Sequence, residues 1–162
     1  WLSALLPVYG AAATPLDLFQ ADDVPGVLSL DCGTHTVLGL FNWADQAADV
    51  SAALPKGRWH AFEFWEAEYL GVREGAISLR IPAHGCKVIR LTRDLGHPQV
   101  VGSTCHITQG AMEVRSEGWD GRLLKVETRE VARKNGRVYA WFPEGIAEIA
   151  AGGGTTEIGP PS

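Results

Sequence analysis

The sequence predicts an all-β domain, an antiparallel β-sandwich of two packed sheets with Greek-key-like connections. Its 162 residues fit one domain. Apolar and polar residues alternate with the period of a half-buried strand, and turn signals recur at roughly the 8–12-residue spacing typical of sandwiches. The 19 glycines and 9 prolines provide those turns. Helical periodicity is weak, with at most one helical turn expected within residues 1–13.

The strand pattern is clearest in residues 76–81, where Ile77, Leu79 and Ile81 face one side and the polar residues the other. Residues 124–129 alternate in the same manner, and Met112 and Val114 are expected to oppose Glu113 and Arg115. Residues 37–43 are apolar on both sides, which is typical of a central strand covered on both faces.

Hairpin turns are predicted where the sequence carries residues that tolerate positive φ. These are Glu74-Gly75, Asp120-Gly121 and Asn135-Gly136, and Pro143-Glu144-Gly145 is predicted as a further turn.

The predicted organisation has three parts. Residues 1–14 are interpreted as a linker or the end of a preceding domain, residues 15–151 as the sandwich with a soft joint near 94–98, and residues 152–162 as a Gly/Pro-rich tail. Two sub-domains, of residues 27–92 and 99–150, are the less favoured alternative to one composite domain. The chain opens at Trp1 and its one methionine is Met112. This start favours a piece cut from a longer polypeptide.

The charge and hydropathy of the chain limit the classes of partner that are expected. The chain carries 14 basic and 19 acidic residues, a net charge of −5, so a nucleic-acid partner is not expected. No apolar stretch approaches the roughly 20 residues that span a bilayer, so a membrane role is not expected either. Cys32, Cys86 and Cys105 form no CxxC pair and are interpreted as buried free thiols. That use of cysteine slightly favours a cytoplasmic over a secreted location.

A search for catalytic patterns finds none. The sequence lacks a G-x-S-x-G elbow, a glycine-rich phosphate loop and an HExxH motif, and its five histidines are scattered. Glu63 and Glu66 have opposite strand parity and, with Glu68, are expected to be solvated rather than to form a glycosidase pair. No catalytic residue, metal site or cofactor is predicted.

The tryptophans are the most suggestive side chains. Most aromatics of residues 59–65 are expected to fill the core, because each buries on the order of 150–250 Å². Trp119 is expected within a turn over residues 118–121, where side chains are usually exposed. Trp119, with Trp43 and Trp141, is therefore the candidate surface for stacking on sugar rings.

Several runs occur in an order that resembles a known family. They are Pro15–Phe19, Leu38–Trp43, Phe62–Glu66 followed by Tyr69–Gly71, Ile81–Val88 and His106–Gly110. Together they resemble the C-terminal β-sandwich domain of α-galactosidase-like (melibiase-type) glycoside hydrolases, those of family 36 and relatives. The resemblance implies a parent enzyme whose (β/α)₈ barrel carries two catalytic aspartates. No barrel fits within 162 residues, so those roles have no positions here.

Three functions remain in order of preference. The first is a non-catalytic accessory domain that stabilises the barrel of the same polypeptide. The second is a carbohydrate-binding module that uses exposed tryptophans. The third is an independent small enzyme.

Overall fold

The structure, a computed structural model, describes residues 2–18, 24–131, 133 and 135–161. A short 3₁₀ helix, Leu2–Leu5, precedes the strands. The described residues form fourteen strands: β1 Thr14–Pro15, β2 Val27–Asp31, β3 Thr36–Phe41, β4 Ala48–Ala53, β5 Trp59–Glu63, β6 Glu68–Arg73, β7 Ala76–Ile81, β8 Cys86–Arg93, β9 Gln99–Ser103, β10 Val114–Trp119, β11 Leu124–Thr128, β12 Arg137–Phe142, β13 Gly145–Ala150 and β14 Gly154–Ile158.

The amino-terminal strands form a six-stranded sheet, in the order β1-β2-β3-β8-β5-β6, and a separate β4-β7 pair. The two sheets enclose one core. Leu38 and Leu40 of β3 and Ile89 of β8 pack there against Ile77 and Ile81 of β7. The alternation predicted for residues 76–81 is confirmed, since Ile77 and Ile81 are buried while the intervening polar residues are not.

The carboxy-terminal strands form a second sandwich, with the sheet β13-β12-β9 facing the sheet β10-β11-β14. Leu124 and Val126 of β11 meet Val138 and Phe142 of β12 in its core. All the strand pairs described are antiparallel. The predicted all-β antiparallel sandwich is confirmed, and the described strands are divided among four sheets.

The two sandwiches pack on each other through a smaller apolar cluster. Phe62 of β5 and Val101 of β9 are fully buried there, beside Tyr139 of β12. The Phe62 and Tyr139 rings lie 4.7 Å apart between centroids. Residues 94–98 connect β8 to β9 and so carry the chain from one sandwich to the other.

Two of the predicted hairpins are wrong, because the flanking strands pair elsewhere. Strand β12, which follows Asn135-Gly136, pairs with β13 and β9, whereas the preceding β11 pairs with β10 and β14. Glu74-Gly75 joins β6 to β7, which belong to different sheets. The hairpin predicted at Asp120-Gly121 is confirmed by the β10–β11 ladder, and the turn predicted at Pro143-Glu144-Gly145 connects the paired strands β12 and β13.

The tail predicted over residues 152–162 was wrong for its central part. Residues 154–158 form β14, which pairs along the whole of β11. The glycine run at residues 152–154 does not end the sheet. Gly153 and Gly154 adopt positive φ (82° and 102°), which turns the chain into β14.

Residues 2–18 form an arm that packs on the six-stranded sheet and supplies its edge strand β1. Ala4 is buried against Val37, Phe64 and Val88. The Ala4 carbonyl accepts a hydrogen bond from the Ile107 amide at 2.8 Å. The single helix found in the described residues is this 3₁₀ turn, and none there has the length or hydropathy of a membrane span.

Candidate functional site

Trp119, the leading sequence candidate, is the last residue of β10 rather than a member of the turn. It pairs with Leu124 across the ladder, so its side chain lies on the inner side of the sheet with Leu124 and Val126. The indole meets Phe142 edge-on at a centroid distance of 6.2 Å. Trp119 is therefore only partly exposed.

Trp119 is also among the residues that line a surface groove of about 460 Å³, although its side chain lies on the opposite side of the sheet from most of the others. The groove lies on the outer face of the β10-β11-β14 sheet and is lined by Ser116, Glu117, Gly118, Trp119, Asp120, Leu123, Lys125, Glu127, Thr155 and Glu157. Its volume falls in the range of about 300–1,000 Å³ that small-molecule sites occupy. The register explains the lining, because Lys125 faces Glu157 and Glu127 faces Thr155 on neighbouring strands.

The charged side chains of the groove hold one another in place. Lys125 lies 3.5 Å from the Glu157 carboxylate. Glu127 accepts hydrogen bonds from the Ser116 hydroxyl at 3.2 Å and from Arg115 at 3.4 Å. The outer face of the groove thus presents ordered carboxylates, an ammonium group and a hydroxyl, which can bind the hydroxyl groups of a polar ligand.

Asp120 shapes the turn at the mouth of the groove. Its carboxylate accepts hydrogen bonds from the backbone amides of Leu123 at 2.7 Å and Arg122 at 2.8 Å. Those two bonds, the Leu123 amide first, lower the pKa of the exposed Asp120 carboxyl. Gly121 takes the positive φ, 95°, that the turn requires.

The carboxylates that line the groove are each held by a contact within the protein. Each carboxylate that lines this groove already accepts a hydrogen bond or ion pair from the protein: Glu117 from the Val100 amide, Asp120 from its turn, Glu127 from Arg115 and Ser116, and Glu157 from Lys125.

Trp43 and Trp141 lie apart from this groove. Trp43 follows β3 in the amino-terminal sandwich and is 52% exposed. Trp141 lies within β12, packed against the imidazole of buried His60 at a centroid distance of 4.8 Å. Trp141 and Phe142 are adjacent on the strand and point to opposite faces of the sheet. Trp141 is therefore on the other side of that sheet from Trp119, so the structure does not join the three tryptophans into one surface.

Glu63 was expected to be solvated, and that prediction was wrong. It is 1% exposed and accepts a hydrogen bond from the Glu66 amide at 2.7 Å. The parity argument also fails here, since the chain turns after β5 and Lys87 reaches both the Glu63 and Glu66 carboxylates at 3.7 Å. In these contacts Glu63 anchors the turn.

A buried polar cluster between the two sandwiches was missed by sequence reasoning. Arg90 is 2% exposed, and its guanidinium donates to the Thr92 hydroxyl at 2.7 Å and to the carbonyls of Gln109 and Val100 at 2.5 and 3.0 Å. Burial lowers the pKa of Arg90 to about 10, which leaves it charged at neutral pH. Its lone position in an apolar strand was the only signal in the sequence.

Glu113 belongs to the same region and was expected on a wet strand face, which was also wrong. It is fully buried before β10 begins and accepts a hydrogen bond from the Ser103 hydroxyl. Burial raises the pKa of the Glu113 carboxyl.

His35 also belongs to this cluster. The shift of its pKa predicts how the free energy of unfolding depends on pH. Burial, and then the Arg90 charge, lower its pKa from 6.5 to about 3. Between these values the unfolded chain binds a proton that the folded chain does not, so the free energy of unfolding falls as pH falls from about 6.5 to 3. One such group contributes about 1.4 kcal/mol per pH unit inside the window.

His35→Gln retains a donor for the Thr108 carbonyl, which His35 Nε2 meets at 2.6 Å, but cannot titrate. We expect its unfolding free energy, measured in urea from pH 7 downward, to fall less steeply than that of the parent. The control His84→Gln alters an exposed histidine and should leave the parent slope unchanged. Parallel curves for the parent and His35→Gln would contradict the assignment.

Among the described residues, no group of three or more histidine, cysteine, aspartate or glutamate side chains is placed to hold a metal ion. All three cysteines are free, with Cys105 buried and Cys32 and Cys86 partly exposed.

Comparisons with known proteins find local likenesses among solved structures. A GH27 β-L-arabinopyranosidase from Geobacillus stearothermophilus is 20% identical with a TM-score of 0.41, over 43% of this chain and 17% of that chain. The α-galactosidase I from Mortierella vinacea is 24% identical with a TM-score of 0.37, over 40% of this chain and 20% of that chain. The matched part thus spans a fifth or less of those enzymes. No family model and no curated protein matches the chain.

Proposed function

We propose that the chain is a non-catalytic accessory domain of an α-galactosidase-like glycoside hydrolase, which stabilises a catalytic barrel in the same polypeptide. The ordered motifs that resemble such enzymes support it. The observation that carries the proposal is the arm, residues 2–18.

The arm is docked on its inner side and apolar on its outer side. Ala4 is buried, and the Pro7 carbonyl lies 3.0 Å from the buried His106 imidazole. In contrast, five large apolar side chains of the arm are 50–81% exposed: Leu2, Leu6, Val8, Leu16 and Leu18. Apolar side chains concentrated on one exposed segment are typical of a surface that packs on another domain.

The proposal predicts two results for this chain. Its hydrolysis of nitrophenyl α- and β-galactosides should not exceed the buffer rate. Val8→Ser should lower the fluorescence of the apolar dye ANS bound to the folded protein, whereas Leu95→Ser, an equally simple change at an exposed leucine outside the arm, should lower it less. Hydrolysis of these galactosides that remains with the chain through purification would overturn the non-catalytic role. Equal dye binding by both variants would remove the arm as the docking surface.

The second candidate function is a carbohydrate-binding module, and the Trp119 groove favours it. Trp119→Ala changes the one aromatic residue among those that line the groove. We expect it to weaken retention of the chain on an affinity gel that contains galactomannan by about tenfold, equivalent to about 1.4 kcal/mol. Trp65→Ala, which changes an exposed tryptophan outside the groove, is the matched control. Retention unaffected by Trp119→Ala would rule out the groove as the binding site.

A further inference from the structure

Trp43 is an exposed aromatic ring that the fold holds in one orientation. Its indole stacks on Phe41 with a centroid distance of 5.4 Å and an interplanar angle of 5°. The indole N–H donates to the Pro25 carbonyl at 2.9 Å. Both contacts fix the plane of a side chain that remains 52% exposed.

The layer beneath the stack depends on a glycine. A Cβ atom at Gly39 would lie 2.8 Å from the Phe41 ring. The bare backbone of β3 therefore lets Phe41 lie close to the sheet and lets Trp43 stack over it. A ring that is already fixed loses little conformational entropy when a ligand stacks on it.

The segment after Trp43 is fixed as well. The side-chain amide of Asn42 donates hydrogen bonds to the carbonyls of Gln46 at 2.8 Å and Pro82 at 2.9 Å. These bonds connect residues 42–46 to the turn before β8. The His84 amide donates to the Ala44 carbonyl at 3.3 Å. These bonds hold the His84 turn beside the residue that follows Trp43.

Two polar side chains stand at this junction with free hydrogen-bonding capacity. His84 Nε2 lies 2.9 Å from the Asp45 carboxylate, and the side chains are 64% and 97% exposed. The Asp45 carboxylate retains lone pairs for hydroxyl groups, and the other nitrogen of His84 is a further polar contact.

This combination discriminates between possible occupants. A second protein surface of apolar character would have to desolvate Asp45 and His84 when it covered Trp43. A sugar ring stacks its C–H face on an indole while its hydroxyl edge meets carboxylate and imidazole groups. The Asp45 charge and the net charge of −5 both oppose an acidic sugar.

We propose that Trp43, Asp45 and His84 form a surface site for one neutral pyranose residue. This site belongs to the amino-terminal sandwich and is separate from the Trp119 groove. It rests on the carbohydrate-binding function proposed above, and it assigns that function to a different surface.

The experiment is an NMR titration of the ¹⁵N-labelled chain with the methyl pyranosides of galactose, glucose and mannose, and with glucuronate. Trp43→Phe, which retains the stack on Phe41 but has no indole N–H, identifies the Trp43 indole signal by its loss. We expect at least one neutral pyranoside to shift that signal, and glucuronate to shift it less.

Trp43→Ala should weaken the binding of that pyranoside, followed on the backbone amides of Ala44 and Asp45, by about tenfold or more. Asp45→Asn should weaken it by a smaller factor, and Trp65→Ala should leave it unchanged. Trp43→Phe should retain part of the affinity, which separates loss of the ring from loss of the fold.

Two results would overturn the inference. If Trp119→Ala abolishes binding and Trp43→Ala does not, the groove is the sugar site and the carbohydrate-binding function stands without Trp43. If the Trp43 signal responds to no sugar in the high millimolar range, a protein surface is the better occupant for the ring.

Discussion

Replacing Arg90 with leucine is expected to lower the free energy of unfolding by about 3–5 kcal/mol. Its guanidinium joins β8 to the carbonyls of Gln109 and Val100, and all these groups are buried. Leucine would leave both carbonyls without a donor in a place that water does not reach. A buried acceptor that loses its partner costs about 1–3 kcal/mol. The nearby Glu113 and Glu117 carboxylates would also lose their counter-charge.

Urea unfolding followed by tryptophan fluorescence measures this effect. Arg80→Leu is the matched control, because Arg80 is 65% exposed and only 3.6 Å from the equally exposed Asp49. Exposed pairs contribute about 0–1 kcal/mol, so this variant should unfold close to the parent midpoint. Arg90→Lys retains the charge but lacks the planar guanidinium group. Its free energy of unfolding should lie between those of Arg90→Leu and Arg80→Leu. Equal stability of Arg90→Leu and Arg80→Leu would contradict the role assigned to Arg90.

The second large effect is expected from Gly102→Ala, at about 3 kcal/mol of lost stability. A Cβ atom at Gly102 would lie 2.2 Å from Cγ of Phe62. Phe62 is fully buried at the contact between the two sandwiches, where it packs with Val101 and Tyr139. Strand β9 would have to separate from β5, which opens the cluster that joins the two halves.

Gly118→Ala is the control for the second prediction. Gly118 is also a strand glycine, but no atom lies within 4 Å of its added Cβ. Alanine there should be neutral or slightly stabilising, since glycine weakens a strand interior. Phe62→Leu in the Gly102→Ala background should recover part of the loss if the clash is its cause, and strictly additive effects would speak against that cause.

The local predictions succeeded where one strand and its own turn decide the structure. The Ile77, Leu79 and Ile81 alternation marks the buried face of β7, and the Asp120-Gly121 turn closes the β10–β11 hairpin. Both depend on residues adjacent in sequence, so period and turn chemistry suffice.

Predictions failed where distant strands decide the outcome. Asn135-Gly136 has good hairpin chemistry, yet β12 pairs with β9 and β13, because its apolar face completes the carboxy-terminal core. Glu113 follows a strand-like alternation but lies in a turn that returns into the protein, where Ser103 reaches it. Neither partner is visible in a local pattern.

The candidate binding residues show the same difference between what a local pattern predicts and what packing decides. The sequence pointed to Trp43, Trp119 and Trp141 as a set, because aromatic residues near turns are often exposed. Only the packing distinguishes them: Trp141 lies against His60, Trp119 is half-covered by Phe142, and Trp43 is exposed on a stack over Phe41.

By itself, the sequence determined the all-β antiparallel class, since the two-residue period and the spacing of turns are properties of neighbouring residues. The tertiary structure alone decided the division into two packed sandwiches, the burial of Arg90 and Glu113 between them, and the fixed orientation of Trp43. Each of these depends on which strands meet across long sequence separations. These contacts between distant strands form because they bury apolar surface from the whole chain, and the pattern of one segment does not predict them.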